Sequence, residues 1–133
     1  MKGDAEELNL IQPAFMAVWY MRTYQMKAVD ERGVLLDYYS QGAFEGRDPN
    51  PFFNSSWYMK QYFTPLDALT NPLVHYMRWG ARDGLNPSPA FDAQYYVAKY
   101  KQAKDNALLH FLEFGLARGY QTSASPQMCI RDR

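Results

Sequence analysis

The feature that most constrains this chain is a repeat. Phe15, Phe53 and Phe91 follow one another at intervals of 38 residues, and each leads a matching set of rings: Trp19, Tyr20 and Tyr24, then Trp57, Tyr58 and Tyr62, then Tyr95, Tyr96 and Tyr100. A second set keeps step with the first. It reads Tyr38-x3-Gly42-x3-Gly46, Tyr76-x3-Gly80-x3-Gly84 and Phe111-x3-Gly115-x3-Gly119, spaced by 38 and then 35 residues, so a loop in the third unit is three residues shorter. Self-similarity at a period of 20 to 50 residues marks stacked copies of one supersecondary unit. The boundaries that follow are an N-terminal cap or linker over 1–14, repeats over 15–52, 53–90 and 91–122, and a tail over 123–133.

Each unit reads as two helices. Phe53, Trp57, Tyr58 and Tyr62 stand at i, i+4, i+5 and i+9, one stripe on a helix of period 3.6. Asn54 and Asp92 precede this stripe as side-chain N-caps, whereas the first unit has Met16 there. The second helix opens with Asn71-Pro72, an N-cap followed by a proline where the missing donor costs nothing, and with Asn106-Ala107 in the third unit. Leu73, Tyr76, Met77 and Gly80 then form an apolar stripe, repeated as Leu35, Tyr38, Tyr39, Gly42 and as Leu108, Phe111, Leu112, Gly115. Gly42, Gly80 and Gly115 lie inside that stripe, where lack of a side chain lets a neighbouring helix approach. Gly46, Gly84 and Gly119, four residues on, fit a left-handed C-cap. Asp48-Pro49-Asn50-Pro51 and Asn86-Pro87-Ser88-Pro89 cannot continue a helix and form the turns between units. No window of six residues alternates apolar and polar, so no sheet is expected. The expected fold is all-α, a short α-solenoid of three tandem helical hairpins.

Composition removes several partners. Fourteen basic and 14 acidic residues give a formal net charge of zero with no block of either sign, which leaves no electrostatic footprint for nucleic acid or an anionic membrane. No run of about 18 uncharged apolar residues is present, so no membrane insertion is expected. The acidic start Met1-Lys2-Gly3-Asp4-Ala5-Glu6-Glu7 has no apolar core of a signal peptide, which points to the cytoplasm, with secretion as the alternative. The one cysteine, Cys129, sits in Gln127-Met128-Cys129-Ile130-Arg131-Asp132-Arg133, which matches no repeat and resembles a translated sequencing-library adapter. The tail is therefore expected to be artefactual and disordered, and the chain a fragment whose downstream domain is missing. Without Cys129 there is no disulfide and no thiol nucleophile.

Aromatic content of 17% raises the prospect of a ring platform for sugars or bases. Most of the rings, however, recur at equivalent positions on stripes that must be buried between helices, so they read as core. On that reading Trp57→Ala or Tyr58→Ala costs about 3–5 kcal/mol. Tyr39, Phe44, Phe52, Phe63 and Tyr120 have no aromatic counterpart and are the better surface candidates. His75 and His110 are repeat equivalents, with Asp37 in the same slot of the first unit, and are candidates for surface or partner contact. As a metal ladder, one ligand per unit at helix-packing distances of about 10 Å is too sparse for a tetrahedral zinc site. The glycine pairs contain no Gly-x-Gly-x-x-Gly and no Lys-Ser/Thr, which argues against phosphate binding. Asp37, Glu45, Asp48, Asp67, Asp83, Asp92 and Asp105 are spread over helix ends and turns, where capping accounts for them. No serine sits in a nucleophile elbow. No catalytic, cofactor-binding or metal residue is assigned, and no cofactor is expected.

The pattern Phe-[Asn/Asp]-x-x-[Trp/Tyr]-Tyr, Asn-Pro-Leu-x-His-Tyr, Gly-x3-Gly-x-[Asp/Asn]-Pro resembles repeats that accompany bacterial polysaccharide glycosyltransferase and rhamnan-synthesis domains. It is also similar to helical units of some large secreted calcium-repeat proteins. The resemblance covers residues 15 to 122. Unit one departs most, with Met16 for the acidic cap and Gly33-Val34 for Asn-Pro. The resemblance implies a non-catalytic accessory module that contacts its own downstream domain, another protein or a glycan. The alternative it implies is a structural or adhesive segment of a secreted protein.

Overall fold

The computed structural model describes residues 2–27 and 30–123, and the putting together of its helices follows from how each is started and stopped. The chain order is α1 (Lys2–Ile11), a 3-10 turn (Gln12–Ala14), α2 (Ala17–Thr23), α3 (Glu31–Ser40), α4 (Ser55–Tyr62), α5 (Pro72–His75), α6 (Ala93–Lys99), α7 (Ala107–His110) and α8 (Leu116–Arg118), with short 3-10 and π segments between them. The chain is all-α. Among the described residues there is no strand, only isolated bridges Asn50–Phe53 and Ser88–Phe91 inside the proline turns. The part of the tail from 124 onward lies outside the described residues.

Side-chain caps set the helix starts. Asn54 accepts from Trp57 N, Asp92 from Tyr95 N, Asn106 from Leu109 N, and Asn71 from both Leu73 N and Val74 N. Each satisfies donors that the first turn leaves without an intrahelical partner. Met16 provides no such bond for α2. In unit one the second helix takes Asp30 as its cap, accepting from Gly33 N, so α3 starts before the Gly33-Val34 pair that aligns with Asn-Pro. The second helical run of each unit ends alike. Gly46, Gly84 and Gly119 have φ of 89°, 78° and 72°, and the N–H of the next residue (Arg47, Leu85, Tyr120) donates to the carbonyl of Gly42, Gly80 or Gly115 at 2.9 Å in each case. That six-to-one bond over a left-handed residue is a Schellman ending.

After α5 and α7 the backbone widens into π turns, Tyr76–Gly80 and Phe111–Gly115, while unit one has a 3-10 turn at Gly42–Glu45. The sequence stripes alone read as continuous α-helix at these places. Phe53 and Phe91 also fall just outside their helices, ahead of the caps, and seal the unit from the turn side with 1% and 2% exposure.

Within each unit the first helix packs on the second: α2 on α3, α4 on α5, α6 on α7. The end of each unit also returns to its own start. Met16 N donates to the Pro49 carbonyl at 3.0 Å, Asn54 N to Pro87 at 2.9 Å and Asp92 N to Thr122 at 2.7 Å. Units are then tied forward. Asp48 Oδ1 accepts from Ser55 N at 2.9 Å, Asn86 Oδ1 accepts from Ala93 N at 2.8 Å, and Tyr38 Oη meets Ser55 Oγ at 2.8 Å in the buried core.

Helix α1 crosses the second helices, touching α3 and α5, and the turn after it touches α7. Leu8, Ile11 and Ala14 are buried there. Glu7 pairs with Arg78 at 3.2 Å and accepts from Tyr39 Oη at 2.6 Å, and buried Asn50 Nδ2 donates to the Ala14 carbonyl at 2.6 Å. Phe52, in the turn after unit one, lies edge-on to Phe111 of unit three with ring centroids 4.9 Å apart. In a purely linear array each repeat touches only its neighbours, so these contacts draw the first and third units together over α1. The turn after α1, Gln12-Pro13-Ala14-Phe15, aligns with the inter-unit turns Asn50-Pro51-Phe52-Phe53 and Ser88-Pro89-Ala90-Phe91.

Candidate interaction face

The residues that recur in all three units build one device. Tyr20, Tyr58 and Tyr96, each fully buried, project from the first helix with the hydroxyl directly over Gly42, Gly80 and Gly115. A Cβ on any of these glycines would stand under 3.0 Å from the hydroxyl oxygen. The glycines therefore make room for a tyrosine hydroxyl, not for a neighbouring helix backbone as their place in the stripe suggests. The hydroxyl then reaches the second helix: Tyr20 Oη donates to Asp37 Oδ2 at 3.0 Å, Tyr58 Oη meets His75 Nδ1 at 2.8 Å, and Tyr96 Oη meets His110 Nδ1 at 2.7 Å. His75 and His110 are thus partly buried structural partners rather than a free surface ladder. One turn along, Tyr24, Tyr62 and Tyr100 accept at Oη from the backbone N–H of Asp48, Asn86 and Gln121, at 2.7, 3.0 and 3.4 Å.

Burial keeps these tyrosines protonated. It pushes the hydroxyls of Tyr20 and Tyr58 far above the ordinary tyrosine range and that of Tyr96 up to about 12, so each stays a donor at neutral pH. Burial also lowers the imidazole of His75, only partly opposed by the charges of Asp67 and Asp83. The bond between Tyr58 Oη and His75 Nδ1 takes its direction from the imidazole tautomer, Nδ1 accepting when the ring proton is on Nε2. Below about pH 6.5 the unfolded chain binds the proton more readily than the folded one, so stability falls with pH. The contribution is complete above that value and is lost as pH drops through the lowered folded pKa. Urea midpoints at about pH 7.5 and 5.5 should show this loss, and His75→Gln, which cannot titrate, should lose less over the same interval.

Outside this buried layer lie two rings that the repeat pattern assigns to the core. Trp79 and Phe114 hold equivalent positions, yet are 47% and 45% exposed, resting on His75 and His110 at centroid distances of 5.5 and 5.2 Å. The stripe of the first helix is graded as well. Tyr20, Tyr58 and Tyr96 are fully buried, Trp19 and Trp57 pack half-buried on the core, and Tyr95 sits at the rim with its hydroxyl donating to Gln121 Oε1 at 3.1 Å. The five unmatched rings mostly turn inward. Phe52 packs on Phe111, Phe63 on His75 at 5.1 Å, and Tyr120 stacks on Tyr100 at 4.0 Å and 4°; Tyr39 bonds Glu7, and only Phe44 is exposed.

Beside Phe114 a shallow groove of about 350 Å³ is lined by Gln102, His110, Phe114, Arg118 and Tyr120. The Arg118 guanidinium lies 5.7 Å from the Phe114 ring centroid and donates to Tyr120 Oη at 3.4 Å. Among the described residues no carboxylate comes within ion-pair distance of it, in contrast to Arg47 with Asp37 and Arg78 with Glu7. The equivalent position holds Asp83 in unit two. The groups on offer are ring faces, a guanidinium, an amide, the His110 imidazole and the Tyr120 hydroxyl. Among the described residues no three His, Cys, Asp or Glu side chains gather as a metal site, and no helix is long and apolar enough to cross a membrane. No family model, curated protein or solved structure matches the chain.

Proposed function

We propose that this chain is a non-catalytic helical-repeat module, a short α-solenoid of three hairpins curled over α1. In this reading it serves a bacterial polysaccharide glycosyltransferase as an accessory that binds glycan or a protein partner in the cytoplasm. The observation that carries the reading is the threefold recurrence of one device: the tyrosine hydroxyl over glycine, the Schellman ending and the turn that returns to the helix start. The recurring residues thus hold an array in shape, and the residues that vary between units, such as Asp83 against Arg118, are left to differentiate its surface. That division is the one by which repeat arrays make binding surfaces. Sequencing the intact gene tests the association, with a nucleotide-sugar-binding domain in the same reading frame as the expected result. A frame that continues instead into calcium-binding Gly-Asp repeats would replace it with the adhesive alternative.

A further inference from the structure

Resting on the glycan branch of that proposal, we infer that Trp79 and Phe114, equivalent exposed rings of consecutive units, bind an acidic polysaccharide, with a uronate carboxylate taken by Arg118 in the groove of unit three. Three observations converge on this class of ligand. The first is the exposure of the two rings at one repeat position. Every other large ring of the repeated set is drawn into the core or its rim, whereas these two keep about half their surface in water in consecutive units. A polymer of pyranose rings, each with an apolar face, matches ring platforms that recur once per unit.

The second is charge. Arg118 has no carboxylate partner among the described residues, and it is held by the Phe114 ring and the Tyr120 hydroxyl. A planar guanidinium with free donors is suited to bidentate capture of a carboxylate. The third is the groove itself. Its volume of about 350 Å³ falls at the small end of the range for small-molecule sites. Gln102 supplies an amide that can both donate and accept, and His110 keeps Nε2 in reserve because Nδ1 is engaged by Tyr96. These are partners for sugar hydroxyls flanking a carboxylate. An acidic peptide would satisfy Arg118 but would leave Trp79 and Phe114 without flat partners.

Calorimetric titration of the full chain with an oligogalacturonate, a maltooligosaccharide of equal length and a poly-glutamate peptide tests the inference. Expected is binding of the oligogalacturonate at least about tenfold tighter than of the other two, as one charge-assisted bidentate contact supplies. Arg118→Ala should reduce it to the neutral level, Arg118→Lys should retain part of the preference, and Trp79→Ala and Phe114→Ala should weaken both sugars. Phe44→Ala, an exposed ring elsewhere, should change nothing. Equal binding of the two sugars, or an acidic preference that survives Arg118→Ala, overturns the uronate site and leaves the glycan reading standing. Binding of neither sugar sinks both, and peptide binding as tight as the oligogalacturonate replaces the sugar with an acidic protein segment.

Discussion

Gly80→Ala is expected to destabilise the protein by about 3 kcal/mol, although alanine is the better helix former by about 1 kcal/mol. The added methyl would overlap the Tyr58 hydroxyl, which is fully buried and bonded to His75. Overpacking a filled core costs about 1–3 kcal/mol, and pulling the hydroxyl from its acceptor about 1–3 more. The sharper expectation is a reversal of sign. Tyr58→Phe alone should cost about 1 kcal/mol by removing the hydrogen bond, but in the Gly80→Ala background it should stabilise, because it removes the oxygen that clashes. Urea denaturation of the four proteins in that cycle measures the coupling directly. Gly115 with Tyr96 and Gly42 with Tyr20 should behave alike, as the same geometry recurs there.

Neighbouring rings on α4 should differ widely. Tyr58→Ala empties a fully buried position that meets Phe53, Tyr62, Phe63, His75 and Tyr76, and is expected to cost about 3–5 kcal/mol. Trp57→Ala removes a half-buried ring at the core edge and is expected to cost about 1–2 kcal/mol, since less apolar area returns to water. The periodicity of the sequence places both on one stripe and assigns them equal costs. Thermal melts of the two variants decide between the graded and the uniform stripe.

Helical character, caps and chain reversals were readable from the residues, because each depends on local chemistry. Asn54, Asp92, Asn71 and Asn106 sit where a side-chain oxygen meets free first-turn donors, and Gly46, Gly84 and Gly119 where a left-handed residue ends a helix. What was not readable is set by distance across the fold. Spacing shows that Gly42, Gly80 and Gly115 need to be small, but not that a tyrosine hydroxyl 22 residues upstream of Gly42 fills the space. Nor does it show that Trp79 and Phe114 face outward. They follow the histidine by four residues, and only once the histidine is bonded inward to tyrosine is the next ring on that line forced to the outside. The curl that joins Phe52 to Phe111 lies beyond any periodic reading, because a period describes neighbours and this contact skips one.

Since the chain contains two histidines, one measurement reaches the repeated device in two units at once. Nitrogen-15 shifts of both imidazoles, recorded at about pH 8 by long-range proton correlation, report which ring nitrogen carries the proton. The bond to tyrosine engages Nδ1 in both rings and holds each in one tautomer, which is Nε2–H, with Nδ1 shifted as an acceptor, when the hydroxyl donates. One fixed tautomer in both rings is the predicted result, and free tautomer averaging of the kind an exposed histidine shows, in either ring, would contradict a fold held by tyrosine, glycine and the residue they share.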